Sequence, residues 1–225
     1  MTTLFGSSQV TTWFTADHHF GHERIIDLCG RPFDSVAQMN KTLIERHNML
    51  VEERDIVWML GDLCMGPITE SLALIKELNG SKYLIAGNHD RCFAGYQIDR
   101  DTTMSAKQRA EWVQRYLDAG IKHVTTGTGI AKRTGAPVRV RLGGHAVDLS
   151  HFPTVGDTQP DDRFKPWRPR RTGASPWLVH GHVHNAWRVQ DRQINVGVDL
   201  WNFSPVPAEV IAEIIDEEDE HAYDQ

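Results

Sequence analysis

Three times before residue 91 the sequence repeats one pattern: a short apolar run leads directly into a cluster of glycine and polar residues, with a helical stretch before the next run. The runs are residues 10–16, 55–60 and 81–86, and they end in Asp17-His18-His19, Gly61-Asp62 and Gly87-Asn88-His89-Asp90. Strands alternating with helices build parallel sheets, and such sheets gather ligands at the carboxyl ends of their strands. The three polar clusters are therefore expected to share one site. The intervening helices are expected at residues 23–29, 36–50 and 68–78, the second with Met39, Leu43, Met49 and Leu50 on one face and the third capped by Asn79-Gly80.

Beyond residue 90 the periodicity predicts a helix at 105–119, a strand at 121–126 and a hairpin of 137–142 with 145–149 across Gly143-Gly144, running into Ser150-His151. Residues 177–180 read as a strand entering Gly181-His182-Val183-His184, and 187–189 with 193–198 as an antiparallel pair. A closing helix at 207–215 gives way to an acidic, solvated tail over 216–225. With no repeat and no linker composition, the 225 residues read as a single domain. Residues 91–147 form its variable region. Residues 153–176, rich in Pro, Arg and Trp, form a long irregular loop that is a candidate lid.

The polar clusters share a chemistry. Asp17 and His19 stand two apart, as do His182 and His184; in extended backbone such pairs reach one ion together. With Asp62, Asn88 and His151 they make a seven-residue set of oxygen and imidazole donors without thiolate. That set favours manganese, with iron, zinc or nickel as the other candidates, over a soft Cys-rich site. If one carboxylate bridges, seven side chains fill eight coordination positions. Two ions about 3.5–4 Å apart would then acidify a bridging water for in-line attack on phosphorus.

Composition narrows the class. Hydrophobic residues at 40% and charged residues at 24% are those of soluble globular chains. The net charge of −6 argues against a general nucleic-acid binder. Cys29, Cys64 and Cys92 are isolated in sequence, so reduced, buried thiols are expected rather than a disulfide framework. Neither a signal peptide nor a membrane-length apolar run is present, which points to a cytoplasmic protein without a membrane partner.

Taken in order, the five clusters ending at Asp17-His19, Asp62, Asn88-Asp90, His151 and His182-His184 resemble the signature blocks of calcineurin-like metallophosphoesterases. The resemblance spans residues 11–205, and Phe20-Gly21-His22 with Asn195-Val196-Gly197-Val198-Asp199 resembles a small prokaryotic and phage subgroup. It implies an α/β fold, a four-layer αββα sandwich of two mixed sheets flanked by helices. It further implies that Asp17, His19 and His184 hold a first divalent ion and Asn88, His151 and His182 a second, with Asp62 bridging. His89 would act as the general acid or transition-state stabiliser, oriented by Asp90. His22 and Arg168 are the candidate substrate contacts; His18, between two ligands, is expected to be structural.

The expected activity is hydrolysis of phosphate esters by a hydroxide bridging the metals, with a small phosphodiester of cyclic nucleotide or dinucleotide type as the leading substrate. A nuclease, which the Arg- and Trp-bearing segment 163–171 would support, and a phosphomonoesterase or protein phosphatase share the same motifs. A non-catalytic binding scaffold predicts gaps in the ligand set, and none is present. Nucleic acid is the less favoured partner. The native metal pair and the oligomeric state stay open at this level.

Overall fold

Alternation along three adjacent strands divides the molecule into two cores. The computed structural model describes residues 9–100, 102–127, 138–155, 164–170 and 176–223. Its first sheet has the order β10-β1-β2-β3-β4, built from β1 (Thr12–Thr15), β2 (Ile56–Met59), β3 (Ser81–Ile85), β4 (Ile121–Thr125) and β10 (Val206–Pro207). β1 to β4 run parallel and β10 joins antiparallel. On one face Trp13, Val57, Met59 and Leu84 meet the helices α1 (Ile25–Cys29), α2 (Val36–Leu50), α3 (Ile68–Ala73) and α4 (Ala106–Asp118), through Ile25, Met39, Leu43, Leu72 and Tyr116. On the other, Phe14, Ala16, Leu60 and Ile85 meet the second sheet.

That second sheet has the order β5-β6-β7-β9-β8: β5 (Val138–Leu142), β6 (His145–Leu149), β7 (Trp177–His180), β8 (Val189–Gln190) and β9 (Gln193–Asn195). It too is mixed, since β6, β7 and β9 are parallel while β5 and β8 pair antiparallel at its edges. Val147, Leu149, Trp177, Val179 and Ile194 face the first sheet, joined by Ile211, Ala212 and Ile215 of α5 (Ala208–Tyr223). Each fully buried large aliphatic or aromatic side chain contributes about 1.5–3 kcal/mol, so these two cores hold the sheets in register. The result is the sandwich expected from the sequence, two mixed sheets with flanking helices. No helix among the described residues is long and apolar enough to cross a membrane.

Several elements depart from their expected bounds. The acidic run from Asp216 is solvated as expected, with Asp216, Glu217, Glu218 and Glu220 exposed, but it is helical rather than a tail: α5 continues through it to Tyr223. Asp216 pairs with His145 at 2.8 Å, and Asp219 accepts from the Trp177 indole at 3.2 Å, so these carboxylates fasten the helix to β6 and β7. The predicted helix 68–78 is α-helical only to Ala73 and then tightens into a 3-10 turn, Leu74–Glu77, a common helix ending. The predicted strand 193–198 stops at Asn195, because Val198–Leu200 turns as 3-10 helix and carries Asp199 inward. α4 begins with a complete capping box between Ser105 and Gln108. The variable region contributes α4 and β4 to the first sheet's side and the β5–β6 hairpin to the second.

Candidate metal centre

All five motif loops leave the carboxyl ends of parallel strands, three from the first sheet and two from the second. Backbone hydrogen bonds lock neighbouring loops together: Asp17 N to the Gly61 carbonyl, His19 N to the Asp62 carbonyl and Gly181 N to the His151 carbonyl, each 3.0 Å. Side-chain bonds also cross between the sheets, among them His182 N to Asp17 Oδ2 at 2.9 Å and His151 Nδ1 to the Leu60 carbonyl at 2.7 Å. Glycines make this proximity possible. A Cβ on Gly87 would stand 2.2 Å from Asp62 Oδ1, and one on Gly181 would stand 2.6 Å from Asp17 Oδ2.

Backbone conformation corrects the expectation that the paired ligands project from extended strand. Asp17, His19, Asp62, His182 and His184 all have positive φ, between 48° and 76°. Left-handed backbone at a non-glycine residue costs on the order of 1–3 kcal/mol and persists where the surroundings impose it. The side chains converge because each ligand is individually turned inward, not because of strand alternation.

Two trios result. The donor atoms of Asp17, His19 and His184 lie within 4.8 Å of one another, and so do those of Asp62, His151 and His182. Asn88 Oδ1 sits 3.1 Å from His151 Nε2, which places it with the second trio. Asp62 Oδ2 lies between the two, 3.8 Å from His19 Nε2 and 3.5 Å from His151 Nε2. All seven residues expected to bind metal are thus brought to one place.

The chemistry of this cluster fits divalent cations. Asp17 is fully buried, its Oδ1 has no hydrogen-bond partner, and burial pushes its pKa up to about 7. In its ionised form a carboxylate so placed is stabilised by a compensating cation. Both ring nitrogens of His19 are buried without hydrogen-bond partners, and burial drives its pKa well below the ordinary value, so it is a neutral donor. His151 is likewise held neutral, its pKa lowered to about 4 chiefly by burial. Its Nδ1 faces a carbonyl and must carry the proton, which leaves the Nε2 lone pair turned toward Asp62 and Asn88. In Asp62, burial raises the pKa, but His151 and His89 outweigh it and hold the carboxyl below the ordinary range.

Asp199 does the same for His184. Its Oδ2 lies 3.2 Å from His184 Nδ1, so Nδ1 is the donor and Nε2 is left for the first trio. Burial works against protonation of His184, but Asp199, the Cys29 thiol and Asp17 outweigh it and push its pKa up to about 11. The same negative groups would favour a cation held at this histidine's Nε2.

The remaining expected residues separate. His89 lines the cleft over both trios, its backbone N–H donating to Asp62 Oδ1 at 2.8 Å. His22 lines the same cleft, its ring 5.8 Å from that of His19. Asp90 does not orient His89. Its carboxylate accepts from the backbone N–H groups of Gly87, Asp62 and Leu63 and from the Tyr116 hydroxyl, pinning two motif loops together from beneath. Arg168 is not part of the cleft lining and donates to the Pro153 carbonyl at 3.3 Å. From its segment it is Phe164 that reaches the site, stacked on Phe152 at 4.9 Å and edge-on to His182. Residues 156–163 and 171–175 of the expected lid lie outside the described residues. His18 is structural, buried with Nε2 3.3 Å from Thr15 Oγ1 and its ring over Phe20. Cys64 and Cys92 are buried in the core, whereas Cys29 is half-exposed at the cleft wall.

Sequence reading missed the roles of Arg31, Tyr116, Asn195 and Asp199. Only Asn195 and Asp199 sat in a motif that could have drawn notice. Asn195 donates to the His184 and Trp187 carbonyls and accepts from Gly197 N, which sets the path of the His184 loop.

Comparison with known proteins agrees with this geometry. The family model for calcineurin-like phosphoesterases matches residues 10–201. The Gene 66 protein of Mycobacterium phage L5 is 36% identical over 84% of this chain and 87% of its own length. Its counterpart in Mycobacterium phage D29 is 34% identical over 92% and 97%. A protein of unknown function from Aquifex aeolicus, AQ665, shares the fold with a TM-score of 0.61 at 19% identity, covering 92% of this chain and 100% of that one. Five motif loops meeting in two ligand trios, with a family match over most of the chain, place this protein among the calcineurin-like phosphoesterases, a family of phosphoester hydrolases.

Proposed function

We propose that the protein is a phosphodiesterase acting on small diesters, with Asp17, His19 and His184 holding one divalent ion, Asn88, His151 and His182 a second, and Asp62 shared between them. The observation that carries this reading is the Asp62 carboxylate, which belongs to the second trio and lies 3.8 Å from His19 of the first, at the floor of the cleft. Two ions, when bound, would supply Lewis-acid neutralisation of the phosphoryl oxygens and lower the pKa of water. Manganese is the ion we favour for a nitrogen and oxygen set of this kind.

The chain's own residues do the rest. His89, on the cleft side of both trios, is placed to give a proton to the leaving oxygen; His22 is placed to meet a phosphoryl oxygen. The cleft holds about 410 Å³, a small-molecule volume, and its wall combines Ile25, Leu28, Phe164 and Val183 with Asn185. Such a wall suits an organic group on each side of the phosphorus better than a bare monoester. Trp167, the aromatic that a nuclease would use to stack a base, is instead packed edge-on against Phe93 at 4.8 Å.

The test is hydrolysis of an aryl phosphodiester beside its monoester, in metal-stripped protein with and without manganese. Manganese-dependent diester cleavage that disappears in Asp62→Ala is the expected result. Preference for the monoester would overturn the substrate class while leaving the metal site standing.

A further inference from the structure

Arg31 lies in the loop between α1 and α2, outside every motif, yet its side chain is completely buried beneath the first trio. Its guanidinium meets the Asp199 carboxylate in a two-pronged contact, Nε to Oδ1 at 2.7 Å and Nη2 to Oδ2 at 2.9 Å. The same group donates from Nη1 to the His18 carbonyl at 2.9 Å and from Nη2 to the Asp17 carbonyl at 2.8 Å. Asp199 in turn holds His184 Nδ1. One cation therefore grips all three parts of the first trio: the left-handed backbone that presents Asp17 and His19, and, through one carboxylate, the imidazole of His184.

Nothing comparable joins Arg31 to the second trio. Asp62 is held by Asp90 and His151 by the Leu60 carbonyl, Asn88 meets the His151 ring, and His182 is held by its backbone bond to Asp17 Oδ2. Apart from that bond to Asp17, the side-chain supports of the two trios differ: Arg31 and Asp199 under the first, Asp90 under the second. A planar guanidinium suits this task because its five donors diverge at fixed angles in one plane; a lysine ammonium has three donors on one atom and cannot make all four of these bonds.

We propose that Arg31 and Asp199 are positioning residues for the first ion, acting through His184 and the Asp17–His19 loop without touching substrate, and that removing either one weakens that ion selectively. The proposal rests on the assignment of the two trios as metal sites. Carboxylates that hold a ligating histidine by its other nitrogen typically contribute 10- to 100-fold to metal affinity.

The experiment titrates manganese into metal-stripped wild type, Arg31→Lys and Asp199→Asn by calorimetry, with electron paramagnetic resonance reporting whether the ions are spin-coupled. His184→Gln and His151→Gln serve as references for losing the first and the second ion. Asp199→Asn preserves shape, so it carries the test if Arg31→Lys does not fold. The expected result is one ion bound as in wild type, the other weakened about 10- to 100-fold. The coupled signal should give way to the mononuclear one of His184→Gln, in protein whose circular dichroism is unchanged. Wild-type affinity for both ions, equal weakening of both, or a signal like that of His151→Gln would each overturn the proposal. A wild type that binds fewer than two ions would instead overturn the dinuclear assignment.

Discussion

After β3, His89 opens onto the cleft while Asp90, one residue further, is turned into the protein, where its two oxygens take three backbone N–H groups and the Tyr116 hydroxyl. Adjacent substitutions should therefore fail in different ways. His89→Ala is expected to lower kcat by about 10²- to 10⁴-fold, the usual worth of a positioned proton donor, with manganese affinity and melting temperature close to wild type. Asp90→Ala strips partners from three buried N–H groups, each costing roughly 1–3 kcal/mol, and should lose stability and bound metal together. Parallel measurement of kcat, metal content and thermal melting separates the two. Six of the seven ligands stand in or beside a short pattern, a glycine or a paired Asp or His, that chemistry itself demands; His151 follows only a serine and was legible from its place at the end of a strand. Arg31 and Tyr116 were not, because what defines them is a partner far along the chain, 168 residues away at Asp199 and 26 at Asp90. An arginine between a glycine and a proline has no local signature for such a role.

Among the elements, the strands that feed the site were the easiest to read, since each is a dense apolar run stopped by a glycine or a charged residue. Helix ends were harder. The stop of α3 and the extension of α5 through its acidic run depend on tertiary contacts such as Asp219 with Trp177, which local propensity does not contain. α2 illustrates how an element reports on its surroundings. Near its carboxyl end His47 is buried, with Nε2 donating to the Asn79 carbonyl at 3.0 Å. Burial lowers its pKa from 6.5 to about 4, outweighing that hydrogen bond. The unfolded chain thus takes up this proton before the native state does. The stability that neutral His47 permits is complete above pH 6.5 and is lost as pH falls through about 4, amounting to roughly 3 kcal/mol. Denaturant unfolding between pH 8 and pH 4 should therefore show a shallower decline in His47→Gln than in wild type. An identical slope in the two proteins would show that His47 is not the group responsible.

At the scale of the molecule, the two trios straddle the seam between the sheets. Asp17, His19, Asp62 and Asn88 follow strands of the first sheet, and His151, His182 and His184 follow strands of the second. Each ion would be held from both sides, so binding should strengthen the packing of one sheet on the other. With free ion at about 100 times its dissociation constant, linkage adds about 2.7 kcal/mol for each ion. In a chain of this size each kcal/mol raises the melting temperature by about 2–4 °C. Stripping both ions should lower it by at least 10 °C, restored by adding manganese and measured by calorimetric scanning. Neither trio is whole until motifs from both halves of the sequence are counted together.

The same division governs when the protein becomes a hydrolase. Translation delivers Asp17, His19, Asp62, Asn88 and His89 in the first half of the chain, yet no trio can close until β7 and its loop have emerged and folded back. His184 is the last ligand to leave the ribosome. A nascent or truncated chain lacking it carries most of the catalytic side chains without a complete first trio, and is expected to be inactive until the two sheets have met.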